Sequence, residues 1–85
     1  MDIGYSTKFE KSFKSLPINV QKLTAKKEII FRNDIFDKRL RTHSLKGKLK
    51  NFHAFSINYQ FRVIFKIEIN GDVTFINIGT HSIYC

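Results

Sequence analysis

Two hydrophobic periods divide the chain. Up to about residue 36 the large apolar residues recur at three- and four-residue spacing, and from Phe52 onward they alternate with other residues. These are the periods of helix and strand respectively. Ahead of the helical part, Ile3 and Tyr5 alternate with Asp2 and Gly4 and predict a short first strand. Phe9, Phe13 and Leu16 fall at i, i+4 and i+7, so a first helix is predicted over Thr7–Leu16, with Thr7 and Glu10 at capping-box spacing. Pro17, the single proline, ends that helix and suits the first turn of a second, where its missing N–H costs nothing. Val20, Leu23, Lys27, Ile30 and Phe31 form an approximate stripe on this second helix, widened by Ile29. Asn33 and Asp34 supply turn chemistry that closes it, and Ile35, Phe36 and Leu40 tuck the outgoing loop against the core.

In the second half, Phe52 to Ile57 reads as a strand partly covered on both faces, and Asn58 and Tyr59 as the turn after it. The run FRVIFKIEI sets Phe61, Val63, Phe65, Ile67 and Ile69 on one face, against Arg62, Ile64, Lys66 and Glu68 on the other. Asn70-Gly71-Asp72 marks a hairpin, Val73 to Ile78 returns as the last strand, and Gly79 breaks it before a short tail. The order strand, helix, helix and three-stranded meander predicts a single α+β domain over residues 1–85, with a helical hairpin packed on one sheet face. The other face is expected to stay open, lined by His53, Arg62, Lys66 and the stretch from Arg41 to Lys50.

Composition turns this scaffold toward a polyanionic partner. Fifteen Lys and Arg against seven Asp and Glu give a formal charge of +8 on 85 residues, a field that favours nucleic acid or an acidic protein segment. The single cysteine, Cys85, forms no internal disulfide and builds no zinc site of plausible spacing. The first ten residues lack a signal-peptide pattern, and no run reaches the ~18 apolar residues of a spanning helix. A cytoplasmic protein without membrane attachment is expected.

The chemistry concentrates in RTHSLKGKLK, residues 41–50, where Arg41, Lys46, Lys48 and Lys50 surround His43. A loop histidine bonded to backbone or water is the plain reading of His43. The surrounding cations favour a second one, in which a phosphodiester is held there and the imidazole moves a proton. RNA cleavage needs a base for the 2′-OH, an acid for the leaving 5′-oxygen and a cation for the crowded phosphate. His43, His81 and one or more of the three lysines supply those types. No histidine spacing suggests a metal site, and no carboxylate pair lies near the basic loop, so neither a metal nor another cofactor is expected. His81 follows Gly79 at a strand end, where side chains leave the packed interior. His53 alternates within a strand and reads as structural or as an RNA contact. Arg62 reads as a phosphate ligand or as a brace for a loop carbonyl, and Tyr84 as a base-stacking ring or a closure of the core edge.

The runs THSLKGKLKNF, INYQFRVIF and INIGTHSIY, in this order and spacing, resemble the RelE superfamily of bacterial toxins, in its YafQ-like branch. The resemblance covers nearly the whole chain. It implies the RelE-like fold, a mixed but largely antiparallel sheet backed by a helical hairpin. It also implies a metal-independent endoribonuclease that cleaves ribosome-bound mRNA, and a cognate antitoxin with an acidic toxin-binding segment. By position His43 and His81 match histidines of the branch, and the lysines at 46, 48 and 50 lie where the family holds phosphate. The resulting candidate set is His43, His81, Lys46 and Tyr84 for catalysis and Arg41, Lys48, Lys50, His53 and Arg62 for RNA. Two departures matter: Ser56 and Gln60 stand where relatives carry histidine and aspartate, and Cys85, not Tyr84, occupies the place of the C-terminal aromatic. They motivate an alternative, a ParE-like gyrase inhibitor or a catalytically weak antitoxin-binding module on the same fold.

Overall fold

In the computed structural model of the protein, whose described residues are 1–84, the expected order is present with one added strand. β1 (Ile3–Tyr5) leads into α1 (Thr7–Lys14) and α2 (Ile18–Asn33), followed by β2 (His43–Ser44), β3 (His53–Ser56), β4 (Arg62–Ile67) and β5 (Val73–Gly79). The sheet order is β1-β5-β4-β3-β2. β1 runs parallel to β5 and the other pairings are antiparallel. The added strand, β2, lies inside the basic stretch, which is therefore partly sheet edge and not simply a loop.

Helix boundaries differ from expectation for local reasons. α1 is capped by Ser6, not by Thr7: the Ser6 hydroxyl accepts from Phe9 N at 3.0 Å and donates to Ile76 O at 2.6 Å. One side chain thus closes the helix start and ties it to β5. The helix stops at Lys14 instead of Leu16, because the residue before a proline is driven out of the α region. On α2, Val20, Thr24 and Phe31 are buried while Ile29 is 63% exposed. Ile29 lies two residues, about 200°, from Phe31 on the helical wheel, and so does not widen the stripe. Thr24 enters the core because its hydroxyl donates back to Val20 O at 2.8 Å, leaving no unpaired polar group there.

Four phenylalanines form the centre: Phe31 from α2, Phe55 from β3, Phe65 from β4 and Phe75 from β5, all fully buried. The Phe31 ring lies 4.9 Å from both Phe55 and Phe65 and 5.2 Å from Phe75, edge-on to the last two, the geometry aromatic quadrupoles favour. In β5 the pairing passes from Asn77 opposite Ile64 to Phe75 opposite Phe65. This bulge leaves Ile76 unpaired, so Val73, Phe75 and then Ile78 face the core. The predicted inward face of FRVIFKIEI is correspondingly shorter: β4 ends at Ile67, and Ile69 projects fully into solvent from the turn.

The second sheet face is not open over its whole area. Leu49 and Phe52, in and after the 3₁₀ turn Gly47–Leu49, and Ile83, in the 3₁₀ turn His81–Tyr84, close with Ile64 and Ile76 around a cavity of about 90 Å³. The open part of that face is the end where β3, β4 and β5 bring Ser56, Arg62 and Gly79 side by side.

Candidate active site

At that end Arg62 is the meeting point. Its Nη1 donates to Asn58 O at 2.7 Å and to Phe61 O at 3.1 Å, and its Nη2 lies 3.3 Å from His81 Nε2. A guanidinium can only donate, so Nε2 of His81 accepts and the neutral imidazole carries its proton on Nδ1. The His81 ring stands edge-on to Tyr84 at 5.7 Å. Tyr84 is half-buried, and its hydroxyl finds no hydrogen-bond partner among the described residues. Burial pushes the phenol above its ordinary value, while nearby Arg62 offsets part of that rise. Arg62, His81 and Tyr84 therefore form one cluster.

The fold keeps His43 apart from this cluster. His43 pairs with Ala54 at the β2 edge, and its Nδ1 lies 3.0 Å from Arg41 O. Because a carbonyl only accepts, Nδ1 carries the proton and Nε2 is the free acceptor. Register places His43 level with Ala54, Ile64 and Asn77, and Gly79 level with Arg62 and Ser56. Three strand spacings across and two residues along separate the His43 and Gly79 positions, about 14 Å by about 7 Å. The two histidines share a face with Arg62 between them. A bound chain, not a direct contact, would connect them.

The remaining candidates distribute unevenly. Lys46, Lys48 and Lys50 are exposed on the 3₁₀ turn beyond β2, and none of them forms an ion pair among the described residues. His53 turns to the opposite, helix-covered face, stacked on Phe65 at 5.5 Å and edge-on to Phe36 at 6.3 Å. Arg41 sits in the left-handed region at φ 52° and lines a cleft of about 270 Å³ with Lys27, Arg39, Ser56, Tyr59 and Arg62. Arg39 is held by Asp37 through bonds of 2.8 and 2.9 Å, and this pairing keeps the Asp37 carboxyl well below the usual carboxylate range. Lys27, Arg39 and Tyr59 were not selected from sequence. A lysine inside the otherwise apolar stripe of α2 was the available signal for Lys27, which is half-buried and lines the cleft. Cys85 lies outside the described residues.

Residues 1–84 match the family described as the bacterial toxin of a type II toxin-antitoxin system, YafQ. The chain belongs to the YafQ toxin family. No curated protein matches it by sequence. Among solved structures, the YoeB/ParE toxin from Agrobacterium tumefaciens superposes with a TM-score of 0.80 at 10% identity, covering 95% of this chain and 99% of that one. YafQ from E. coli superposes at 0.73 with 20% identity, covering 96% of this chain and 94% of its own. YafQ in the E. coli DinJ-YafQ complex superposes at 0.69 with 22% identity and the same coverages. These likenesses establish a shared fold. Among the described residues of this YafQ-family toxin, no helix is long and apolar enough to cross a membrane.

Gly79 positions the cluster. A Cβ at this residue would come to 2.6 Å from Ile83 Cγ2, and Ile83 belongs to the same 3₁₀ turn as His81 and Tyr84. Gly79→Ala is expected to push that turn outward. The overpacking is expected to cost about 1–3 kcal/mol of stability, which thermal melting against wild type checks.

Tyr84→Phe separates ring from hydroxyl. The hydroxyl makes no hydrogen bond among the described residues, so its removal is expected to leave stability near wild type at neutral pH, whereas Tyr84→Ala removes the ring that His81 packs against. The phenol is raised in the folded state, so its contribution to stability is present below the unfolded pKa of about 10 and is lost as pH rises beyond it. Tyr5 is raised too, by burial first and then by its hydrogen bond to Glu28. Alkaline denaturation curves of Tyr84→Phe and Tyr5→Phe should each be flatter than wild type above about pH 10.

Proposed function

We propose that this toxin is a metal-independent endoribonuclease that cleaves mRNA on the ribosome and so arrests translation. The observation that carries the reading is the Arg62 Nη2 to His81 Nε2 contact of 3.3 Å at the open end of the sheet, beside a cleft lined by Lys27, Arg39 and Arg41. Arg62 supplies the cation that a pentacovalent phosphate requires, and His81 an imidazole within reach of the same phosphate. In the cleavage, the 2′-oxygen attacks the adjacent phosphorus, its proton passing to an imidazole. The bond to the 5′-oxygen breaks with a proton delivered to the leaving group, giving a 2′,3′-cyclic phosphate and a free 5′-hydroxyl. His81 takes the 2′-proton on Nε2 and, as the imidazolium so formed, returns a proton to the leaving 5′-oxygen. His43, which the register keeps apart, offers its Nε2 to a hydroxyl of the chain on the far side of Arg62. Lys46, Lys48 and Lys50 hold flanking phosphates. Ser56 and Gln60 contribute no ionisable group where relatives carry histidine and aspartate, so more of the catalysis falls on Arg62 and His81.

The protein partner is an antitoxin whose binding segment is acidic. The net charge of +8 favours such a segment, and the E. coli YafQ has been solved together with DinJ. The test of the nuclease reading is purified toxin added to ribosomes programmed with defined mRNA, cut sites being mapped by primer extension, with free mRNA as control. Cuts confined to ribosome-bound message are expected. No cut at any toxin concentration would overturn the reading, and inhibition of gyrase supercoiling in a parallel assay would direct attention to the ParE-like alternative.

A further inference from the structure

We propose that Tyr59 is a stacking platform for a nucleobase of the RNA chain, positioning the nucleotide next to the phosphate that Arg62 and His81 address. This rests on the nuclease reading and adds a residue to its substrate site. Tyr59 occupies the turn between β3 and β4 and is 93% exposed, the most open aromatic ring among the described residues. It forms no ring pair there, so packing does not explain it. Its position does carry meaning: the same side chain borders the basic cleft with Lys27, Arg41 and Arg62, and the depression with Gln60, Thr80 and His81. A strand of nucleic acid passing from one to the other crosses this ring.

The turn under Tyr59 is held firmly. Asn58 Oδ1 accepts from Gln60 N at 2.9 Å and from Phe61 N at 2.7 Å, and Ile57 N donates to Phe61 O at 3.0 Å. Arg62 itself donates to the carbonyl of Asn58, the residue before Tyr59, at 2.7 Å. The tyrosine backbone and the guanidinium are thereby fixed relative to one another, while the ring remains free to meet a base. Every base offers a π-face, so such a platform selects unpaired nucleotides with little regard to sequence. Cations on one side and a flat ring on the other are the two elements single-stranded nucleic acid requires. Lys27 and Arg41 have no carboxylate partner among the described residues and remain available for the phosphates on either side of the stacked base.

The experiment is a set of single-turnover cleavage measurements on programmed ribosomes with wild type, Tyr59→Phe and Tyr59→Ala. Tyr59→Ala should raise the half-saturating toxin concentration about tenfold or more, and Tyr59→Phe should restore it. Repeating the series on mRNAs with one abasic position each should abolish the difference between wild type and Tyr59→Ala at a single position. A purely structural role would lower cleavage by the same factor on every mRNA and would overturn the proposal, as would an unchanged Tyr59→Ala. A second measurement is independent of catalysis. The chain contains no tryptophan, so Tyr59→Trp introduces a single tryptophan at the ring position, excited selectively at the red edge of its absorption, where tyrosine does not absorb. Single-stranded RNA should quench its emission, and the abasic counterpart should not. Quenching without any wild-type cleavage would retain the stacking site and reject the nuclease; cleavage with neither quenching nor a Tyr59→Ala effect would do the reverse.

Discussion

His81→Ala is expected to lower the single-turnover rate of mRNA cleavage by about 10²–10⁴-fold, the range a positioned proton-transfer group supplies. The expectation follows from the hydrogen bond it makes. Arg62 has only N–H groups to offer, so the 3.3 Å contact makes His81 Nε2 an acceptor beside the guanidinium. In the proposed cleavage a 2′-OH entering there would replace the arginine as donor and free the guanidinium for the phosphate. Two controls make the prediction specific. His81→Gln keeps a hydrogen-bonding side chain of similar reach but does not titrate, so it should fold normally and stay inactive, with the pH–rate profile losing one limb. Arg62→Lys keeps the charge but not the planar fork that meets Asn58 O, Phe61 O and His81 at once, so it should recover little of the activity lost in Arg62→Ala. Wild-type cleavage by His81→Ala would remove this histidine from the mechanism.

The second large effect is structural. Phe31→Ala should destabilise the domain by about 3–5 kcal/mol, as deletion of a buried aromatic ring does when its surroundings cannot collapse. Phe31 is the only helix residue among the four central phenylalanines, and rings from β3, β4 and β5 lie within 5.2 Å of it. The sheet positions are set by backbone pairing, so they cannot move in to fill the void. In a domain this small each kcal/mol shifts the melting temperature by about 4–8 °C, and total stability is only about 5–15 kcal/mol. Thermal or urea unfolding followed by circular dichroism should therefore show a much less stable protein. A shift below about 1 kcal/mol would mean that the ring is not the keystone its contacts describe.

The sequence by itself determined the class of the domain and the order of its elements apart from β2. Apolar spacing at 3.6 separated the two helices, alternation located β4 and β5, and Asn70-Gly71 marked their hairpin, because these signals depend on neighbours a few residues apart. Motif order identified the family. Tertiary structure alone decided what long-range pairing controls. The pairing of β1 with β5 and of β2 with β3 joins segments that no local period connects. The bulge at Ile76 resets which β5 side chains face inward, and β4 runs out before Ile69. The candidate site follows the same division. His43 and His81 were legible as types beside cations. Only the register showed that they stand about three strand spacings apart, that His53 faces the helices, and that Arg62 makes the contact with His81. Lys27 and Tyr59 were hidden, one as an interruption of an apolar stripe and the other as an ordinary turn residue, because a cleft is a property of surfaces that meet only after the chain has folded.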